Sequence, residues 1–559
     1  MKQLSDELRR VIRGEVLDDQ ATLDVYSGDY SIFKVMPQAV AFPRDTDDVK
    51  KLVRFAAAKR AHDAGISLTA RSAGTDMSGG PLNDSVIVEF TKHMNRVREV
   101  GADYAVVEPG AYFRDFEKEV EPGAYFRDFE KEIEKRGLFY PPYPASKDLC
   151  AIGGIVANNS GGEKTLAYGK TEKYVEALTV VLRDGEAHTF TPIAAAGLTK
   201  KLKEKGIEGD IYRKLYKLIE GNYDVIRRAR PNVSKNSSGY PLWNVWDRKT
   251  FDIIQLFVGS QGTLGLITEA RLRLLKKPNY RRLAVIFAKS LDPVPGLVRA
   301  LLRFNPESIE SYDDRTLGLA LKFLPSLLRL MKGNIVTLGL QFLPELMMVL
   351  RGGLPKMVLL VELASDDERE LAGRMNALYA EVKKFPVQLR VTRREEEAQK
   401  YWTIRRQSFN LLHSHVKRKD AVAFVDDIIV LPEYMPEVLP KVNAIMDRYK
   451  DKFLYTIAGH PGGGNFHIIP LADLKDPQVR ALIPKIAKEV YELVLRYKGS
   501  ISGEHNDGLI RTPYLEMMYG KKIYGLFGEV KKIFDPDGIF NPRKKFGADL
   551  AYMTAHIKR

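Results

Sequence analysis

The chain has 559 residues, 45% of them hydrophobic and 28% charged, with a formal net charge of +15. That balance belongs to a globular protein with a substantial core, sized for two or three domains, and excludes a disordered or fibrous chain. The basic residues are spread along the whole length with no recognisable nucleic-acid module, so nucleic acid is not an expected partner, and the one cysteine, Cys150, excludes both internal disulfides and a cysteine-ligated iron-sulfur cluster housed in this chain.

The opening MKQLSDELRRVIRG lacks the apolar stretch of a secretory signal and reads as an amphipathic helix, which predicts a cytoplasmic location. From about residue 37 to 190, short apolar strands alternate with helical stretches. They fall at Ala39 to Phe42, Val49 to Ala61, Ser67 to Ala70, Val86 to Phe90, Ala105 to Val107 and Leu178 to Leu182, a mixed α and β pattern. Directly after one of these strands stands ARSAGTDMSGG, Ala70 to Gly80. Its small residues would let backbone N–H groups approach a pyrophosphate, with Ser72, Thr75 and Ser78 as hydroxyl donors, although the spacing is neither a Walker loop nor GxGxxG.

A perfect tandem repeat follows, VEPGAYFRDFEKE at Val107 to Glu119 and again at Val120 to Glu132. Two copies of thirteen residues cannot build a solenoid. The strand ending at Val107 needs the first EPG as its terminator and the helix running into Ile133 to Arg136 needs the second copy, so one copy is surplus, either a recent duplication tolerated at low cost in loop entropy or an artefact of sequence assembly. The next cluster, PPYPASKDLCAIGGIVANNSGGEKTLAYGKT at Pro141 to Thr171, repeats the phosphate-cradle chemistry, with two Gly pairs and the amides Asn158 and Asn159.

Ile193 to Arg230 reads as helical and basic, Pro231 to Trp246 as a loop, and Leu264 to Leu275 as a hairpin-like stretch after GSQGT. Strands at Leu283 to Phe287, Val358 to Leu363 and Gln388 to Val391 suggest a second domain from about 280 to 500. Between them Thr316 to Leu350 is strongly apolar but broken by Lys322, Pro325, Arg329, Lys332 and Pro344, too short of the ~20 uncharged residues of a membrane span. It reads as a buried helical pair, with a basic amphipathic surface lying on the bilayer as the alternative. Tyr514 to Phe540 is helical and ends in FDPDGIFNPRKK.

Two late segments carry the chemistry, GHPGGGNFH at Gly459 to His467 and SGEHNDG at Ser502 to Gly508. Phe453 to Ala458 and Phe466 to Pro470 read as two strands reversed by Gly462 to Gly464, a hairpin that brings the imidazoles of His460 and His467 to one point. Glu504 would add an oxygen, and two nitrogens plus one carboxylate leave a coordination position open on a divalent ion. Beside Glu504, His505 is the natural general base, neutral and poised near pH 7 beside a cation and a carboxylate.

These segments, with GSQGTLGLITEA at Gly259 to Ala270 and the terminal FDPDGIFNP, resemble the FAD-linked oxidases of the vanillyl-alcohol oxidase type, from about Tyr26 to Lys545. Within them the chain is similar to the D-2-hydroxy acid dehydrogenases acting on D-lactate, glycolate or D-2-hydroxyglutarate. SGEHNDGLIRTPYL is close to the branch fused to an iron-sulfur module.

The resemblance implies an α+β fold. Its expected parts are a PCMH-type FAD-binding domain over 1–278, a central α+β substrate or cap domain over 279–505, and a C-terminal segment over 506–559 that returns to the FAD domain. It implies that Arg71, Ser72, Ala73, Gly74, Thr75, Asp76, Ser78 and Gly79 hold the FAD pyrophosphate. Pro144, Ser146, Gly153, Gly154, Asn158, Ser160, Gly161 and Tyr168 would line the flavin, Gly262, Thr263 and Ile267 the adenosine half, and Lys531 and Asn541 the ring edge. His460, His467 and Glu504 would bind zinc or a similar divalent ion, His505 would be the base, and Arg405 would hold the substrate carboxylate.

Thr75 stands where covalent members carry a flavin-linking histidine, which implies non-covalent FAD. Asp76 replaces the usual Gly or Ser, with an outward-turned carboxylate as the expectation, and Gln261 replaces a usual Glu. Phe409 occupies the place of a substrate-binding Thr in some members, and the substrate lysine has no clear counterpart among Lys417, Arg418 and Lys419.

The implied activity is oxidation of a D-2-hydroxy acid to the 2-oxo acid, with electrons leaving to a quinone, an electron-transfer flavoprotein or a separate iron-sulfur subunit. The alternatives are a flavoprotein subunit without substrate chemistry and a redox-neutral flavin-dependent lipid synthase of the same fold. Peripheral attachment to the inner face of a membrane and homodimerisation are left open.

Overall fold

The computed structural model describes residues 2–113, 129–322, 353–392, 394, 397–406 and 420–559. Three sheets organise them. The first holds Glu15–Leu17, Ala39–Phe42, Val86–Glu89 and Leu68–Arg71 in that order, with Val86–Glu89 parallel to both of its neighbours. Parallel strands need coverage on both faces. The run Ala39–Phe42 is accordingly buried at every position, with the helix Thr46–Arg60 contributing Val49, Leu52, Val53 and Ala56 to one side. Asp45 caps that helix by accepting from the N–H of Asp48.

The second sheet is antiparallel, in the order Val97–Val100, Tyr104–Val107, Leu266–Arg273, Val175–Val181 and Ala187–Phe190. The stretch expected as a hairpin is therefore one long central strand. Leu266–Arg273 pairs with Tyr104–Val107 on one side and Val175–Val181 on the other, and the short strand after it, Leu275–Lys276, pairs with Leu138–Phe139 instead of folding back.

The third sheet, eight-stranded, carries the C-terminal half. Its strand Tyr280–Ala288 is buried from Leu283 onward because both faces are packed. Ala284, Ile286 and Ala288 enter the large core, while Leu283, Val285 and Phe287 enter a smaller one with Tyr401, Trp402 and Ile404. The chain then comes back. Along the helix Leu515–Phe534, the residues Ile523, Leu526, Phe527, Val530 and Phe534 pack into the core of the second sheet, and Ile539 and Phe540 into that of the first. Leu68 donates to Ile539 O and Asn541 to Leu68 O, so the C-terminal segment lies along the edge of the first sheet beside the Arg71–Gly80 loop.

The repeat is used as its sequence suggests at both ends. Val107 closes a strand, Glu108 to Phe113 of the first copy are buried or nearly so, and the helix Phe129–Glu134 starts inside the second copy. The N–H of Phe129 donates to Tyr112 O and that of Glu130 to Phe113 O. Phe129 is the counterpart of Phe116, four residues after Tyr112, so these are the i to i−4 bonds that a single copy would make. Residues 114–128 lie outside the described residues, as do 323–352, most of the apolar segment Thr316 to Leu350, and Phe409, Lys417, Arg418 and Lys419. Among the described residues no helix is long and apolar enough to cross a membrane.

Candidate active site

The two strands around the glycine run form as expected. Leu454–His460 and Asn465–Ala472 pair antiparallel with Ala458 opposite His467 and His460 opposite Asn465, which puts both histidines on one face as a diagonal pair. The tip must be glycine at Gly464. Its φ is +74°, and a Cβ there would lie 1.8 Å from Val430 O, inside a backbone contact that docks the turn. The two imidazole centroids are 5.1 Å apart.

Glu504 comes up beneath them. Its Oε1 is 3.2 Å from His460 Nε2, 3.3 Å from His467 Nε2 and 3.9 Å from His505 Nε2. The rings of His467 and His505 are stacked at 4.8 Å. Three ring nitrogens thus face one oxygen, which has too few lone pairs for all of them, while the other oxygen pairs with the buried Lys235 ammonium. Burial alone would raise the Glu504 carboxyl, but Lys235 and His460 outweigh it and hold it well below the usual carboxylate range. His467 is pushed down to about 4, first by burial and then by the charge of His505, so it is neutral at pH 7 and able to serve as a ligand. Its Nδ1 is buried with no hydrogen-bond partner among the described residues.

His505 departs from the expectation of an imidazole poised near neutrality. Burial would lower it, yet Asp427 and Asp426 raise it to about 9. Its Nδ1 is 2.6 Å from Asp426 Oδ2, which leaves Nε2 as the working nitrogen. A divalent ion held near Glu504 would add positive charge beside His505 and lower it toward neutrality.

Asp427, Glu504, His467 and His505 also place one potential ligand atom each within 4.8 Å of one another. Asp427 is nevertheless occupied. Its Oδ2 accepts from Ser502 Oγ and from the N–H groups of Glu504 and His505, and its Oδ1 from Asn465 Nδ2. It shapes the loop that presents Glu504 and His505, and Arg511, fully buried, holds the same loop through Ile501 O, Asn506 O and Asp426. The donor set that fits a divalent ion is His460, His467 and Glu504, with His505 beside it.

Arg405 lies in the helical residues 397–406, which pack Tyr401, Trp402 and Ile404 onto the third sheet, with Nη2 3.2 Å from Glu310 Oε2. Glu310, on the strand Ser308–Asp313, also meets His460 Nδ1 at 2.5 Å. Sequence reasoning missed Glu310, Lys235 and Arg511. The pair Asp426–Asp427 carried a readable signal, two acids inside the apolar run AVAFVDDIIVLP.

The expected flavin residues converge on this point from the other half of the molecule. The loop Arg71–Gly80 leaves the first sheet with the N–H groups of Ala73, Gly74, Thr75, Met77 and Gly79 finding no acceptor among the described residues, a row of donors suited to a pyrophosphate. Gly153 opens the helix Ile152–Asn158 against this loop, where a Cβ would lie 2.7 Å from both Ser72 Oγ and Pro109 O, while Gly154 faces open space. A Cβ on Gly161 would stand 3.4 Å from Glu504 Oε2, which joins the flavin cluster to the histidine cluster. These backbone donors and glycine surfaces fit FAD.

One of these residues departs from its expected orientation. Asp76 turns inward, not outward. Its Oδ2 accepts from Ser78 N, Ser78 Oγ and Gly80 N, and its Oδ1 from Asn158 Nδ2 at 2.7 Å. Gln261 stands beside it, donating to Ser78 Oγ and Asn158 Oδ1 and accepting from Gly508 N, so it ties both flavin loops to the SGEHNDG segment. Lys531 donates to Thr263 O, Asp535 and Phe540 O. Asn541 likewise pins Gly80 O and Gln261 O. Pro144 and Ser146 form the turn before Cys150, Ser160 O accepts from Thr171, Ile267 is buried in its strand, and the Tyr168 hydroxyl donates to Glu307. Gly262 follows Gln261 in left-handed backbone, with φ of +70°.

Comparison with known proteins agrees with this layout. Residues 37–191 match the FAD binding domain family and residues 277–545 the family FAD linked oxidases, C-terminal domain. A D-2-hydroxyglutarate dehydrogenase of Pseudomonas putida is 28% identical over 537 residues, covering 95% of this chain and 50% of that protein. The chain therefore spans about half the length of that relative. Glycolate oxidase subunit GlcD of Bacillus subtilis is 28% identical over 561 residues, covering 98% of this chain and 97% of that one. Among solved structures, 4-ethylphenol oxidase from Gulosibacter chungangensis superposes with a TM-score of 0.68 at 16% identity, over 99% of this chain and 98% of that one, a likeness of fold.

Proposed function

Because the chain carries an FAD binding domain over 37–191 and the C-terminal domain of the FAD linked oxidases over 277–545, we propose that it is an FAD-dependent dehydrogenase of D-2-hydroxy acids that passes electrons to a separate acceptor. The observation that carries this reading is the convergence of His460, His467 and His505 on Glu504 Oε1 beside Gly161 of the flavin cluster.

In this reading the N–H groups of the Arg71–Gly80 loop, Gly153, Gly154 and Asn158 hold FAD, which supplies a two-electron acceptor when bound. Nothing at Thr75 offers a covalent link, so the cofactor is non-covalent. His460, His467 and Glu504 would hold a divalent ion, zinc or a similar one, which would supply a Lewis acid. Arg405 turns its planar fork to the substrate carboxylate. His505 Nε2 removes the proton of the C2 hydroxyl, with Asp426 at Nδ1 fixing the ring and stabilising its charged form. His467 and Glu504 are buried, and the His505 side chain is 23% exposed.

The acceptor is a quinone, an electron-transfer flavoprotein or an iron-sulfur protein, and D-2-hydroxyglutarate is the first substrate to test, given the relatives named above. Turnover of D- and L-2-hydroxy acids with an artificial dye acceptor tests the proposal. Selective oxidation of D-acids by a protein whose FAD is released on acid precipitation is the expected result. No turnover of any acid by flavin-loaded, zinc-supplied protein would leave a non-catalytic flavoprotein subunit.

A further inference from the structure

We propose that Glu310 is a positioning residue that sets two separate parts of the site at once, the metal-facing nitrogen of His460 and the aim of Arg405. The inference rests on the metal-assisted dehydrogenase reading above.

The geometry is a fork. Glu310 sits on the strand Ser308–Asp313, whose Ser311 pairs with Gly459 across the sheet, so its side chain arrives beside His460 by strand register. One oxygen lies 2.5 Å from His460 Nδ1 and the other 3.2 Å from Arg405 Nη2, and the side chain is 2% exposed. A carboxylate at Nδ1 can only accept. The proton therefore stays on Nδ1, and Nε2, 3.2 Å from Glu504 Oε1, keeps its lone pair for a cation. The other oxygen holds one edge of the Arg405 guanidinium, which fixes the direction in which that planar group is presented. His467 has no such partner at Nδ1 among the described residues, so the orientation of the ligand pair rests on the His460 side.

Glutamine cannot replace this carboxylate. With its oxygen toward His460 it sets an NH2 against the Arg405 guanidinium, donor against donor. Turned round, it donates to Nδ1 and forces the proton onto Nε2, the nitrogen that must face the ion.

The experiment uses FAD-loaded full-length protein. Zn2+ affinity is measured by competition with a chromophoric chelator, and kcat and KM with D-2-hydroxyglutarate and a dye acceptor, in wild type, E310Q, E310A, H460A and H467A. E310A is expected to weaken Zn2+ binding about 10-fold or more, the usual size of losing a carboxylate behind a metal-bound histidine, and to raise KM by about 10-fold through Arg405, with FAD content unchanged. Isosteric E310Q is expected to lose one of the two, Zn2+ affinity or KM, by a similar factor and keep the other. If E310A fails to fold, E310Q alone decides. E310Q with both quantities within about 2-fold of wild type overturns the proposal while H460A and H467A still lose zinc. Zinc binding unaffected in H460A and H467A overturns the metal reading itself, and the present proposal with it.

Discussion

Two buried charge clusters join the N-terminal half of the chain to the C-terminal half. Around Lys164, three cations meet three carboxylates. Lys164 lies between Glu307 and Glu362, Arg281 forks onto Glu307, and Arg406 pairs with Glu163. Around Glu504, by contrast, three ring nitrogens crowd one oxygen, His467 Nδ1 has no partner among the described residues, and His505 is raised to about 9 by two carboxylates behind it. The first cluster is complete without any visitor. The second has more donor atoms than the protein can satisfy, and a cation would resolve it. Completeness of pairing is thus what separates the two clusters.

Breaking the complete cluster should cost stability and spare chemistry. Lys164→Met removes the cation between Glu307 and Glu362, leaving Glu307 with Arg281 and Tyr168, and the expected loss is about 3–5 kcal/mol by denaturant unfolding, with kcat per bound FAD unchanged. A large fall in kcat at normal stability would make the cluster part of the reaction. The incomplete cluster should respond the other way. His505→Ala is expected to slow flavin reduction by about 100-fold or more, the size of a general-base contribution, with little change in stability. Near-normal single-turnover reduction would leave His505 a structural role.

A smaller effect concerns Asp76 and Gln261, which share Ser78 and Asn158 between them. The resemblance would have a small residue at 76 and a glutamate at 261, so here the carboxylate stands on the other loop. Gln261→Glu alone removes the donor to Ser78 and Asn158 and brings two carboxylates together, at an expected cost of about 1–3 kcal/mol. Adding Asp76→Ser should recover more than half of it. Additive costs in that double-mutant cycle would show that the two positions are independent. The smallest effect is expected from deleting Arg114 to Phe126, which restores a single copy of the repeat. Unfolding free energy should change by less than about 1 kcal/mol, because loop closure depends only weakly on length. A protein that no longer folds would show that the second copy carries the helix in some other way.

Much of this was legible beforehand. Ala39–Phe42 and Val86–Glu89 are strands buried on both faces, and such runs declare themselves as unbroken apolar stretches. The histidine hairpin was readable because its turn chemistry and its ligands lie within one short segment. Leu266–Arg273 was misread as half of a hairpin, since a strand reveals its own alternation but not which distant strands flank it. Glu310 and Lys235 were invisible for a related reason. Each looks like an ordinary surface charge in its own stretch, and only contacts with His460, 150 residues away, and Glu504, 269 residues away, give it a role. The inward turn of Asp76 was missed because loop N–H groups do not show in sequence which acceptor they will find.

The i to i−4 bonds from Phe129 and Glu130 back to Tyr112 and Phe113 have a practical side as well. A chain that completes the same turn of helix with or without thirteen added residues has, in effect, a splice point between Phe113 and Phe129. Replication slippage could write the second copy there without selection removing it, and could erase it again. For the same reason that junction is a place to graft an epitope, a protease site or a fluorophore-bearing cysteine, far in sequence from the histidine hairpin and bounded on its C-terminal side by the helix that starts at Phe129.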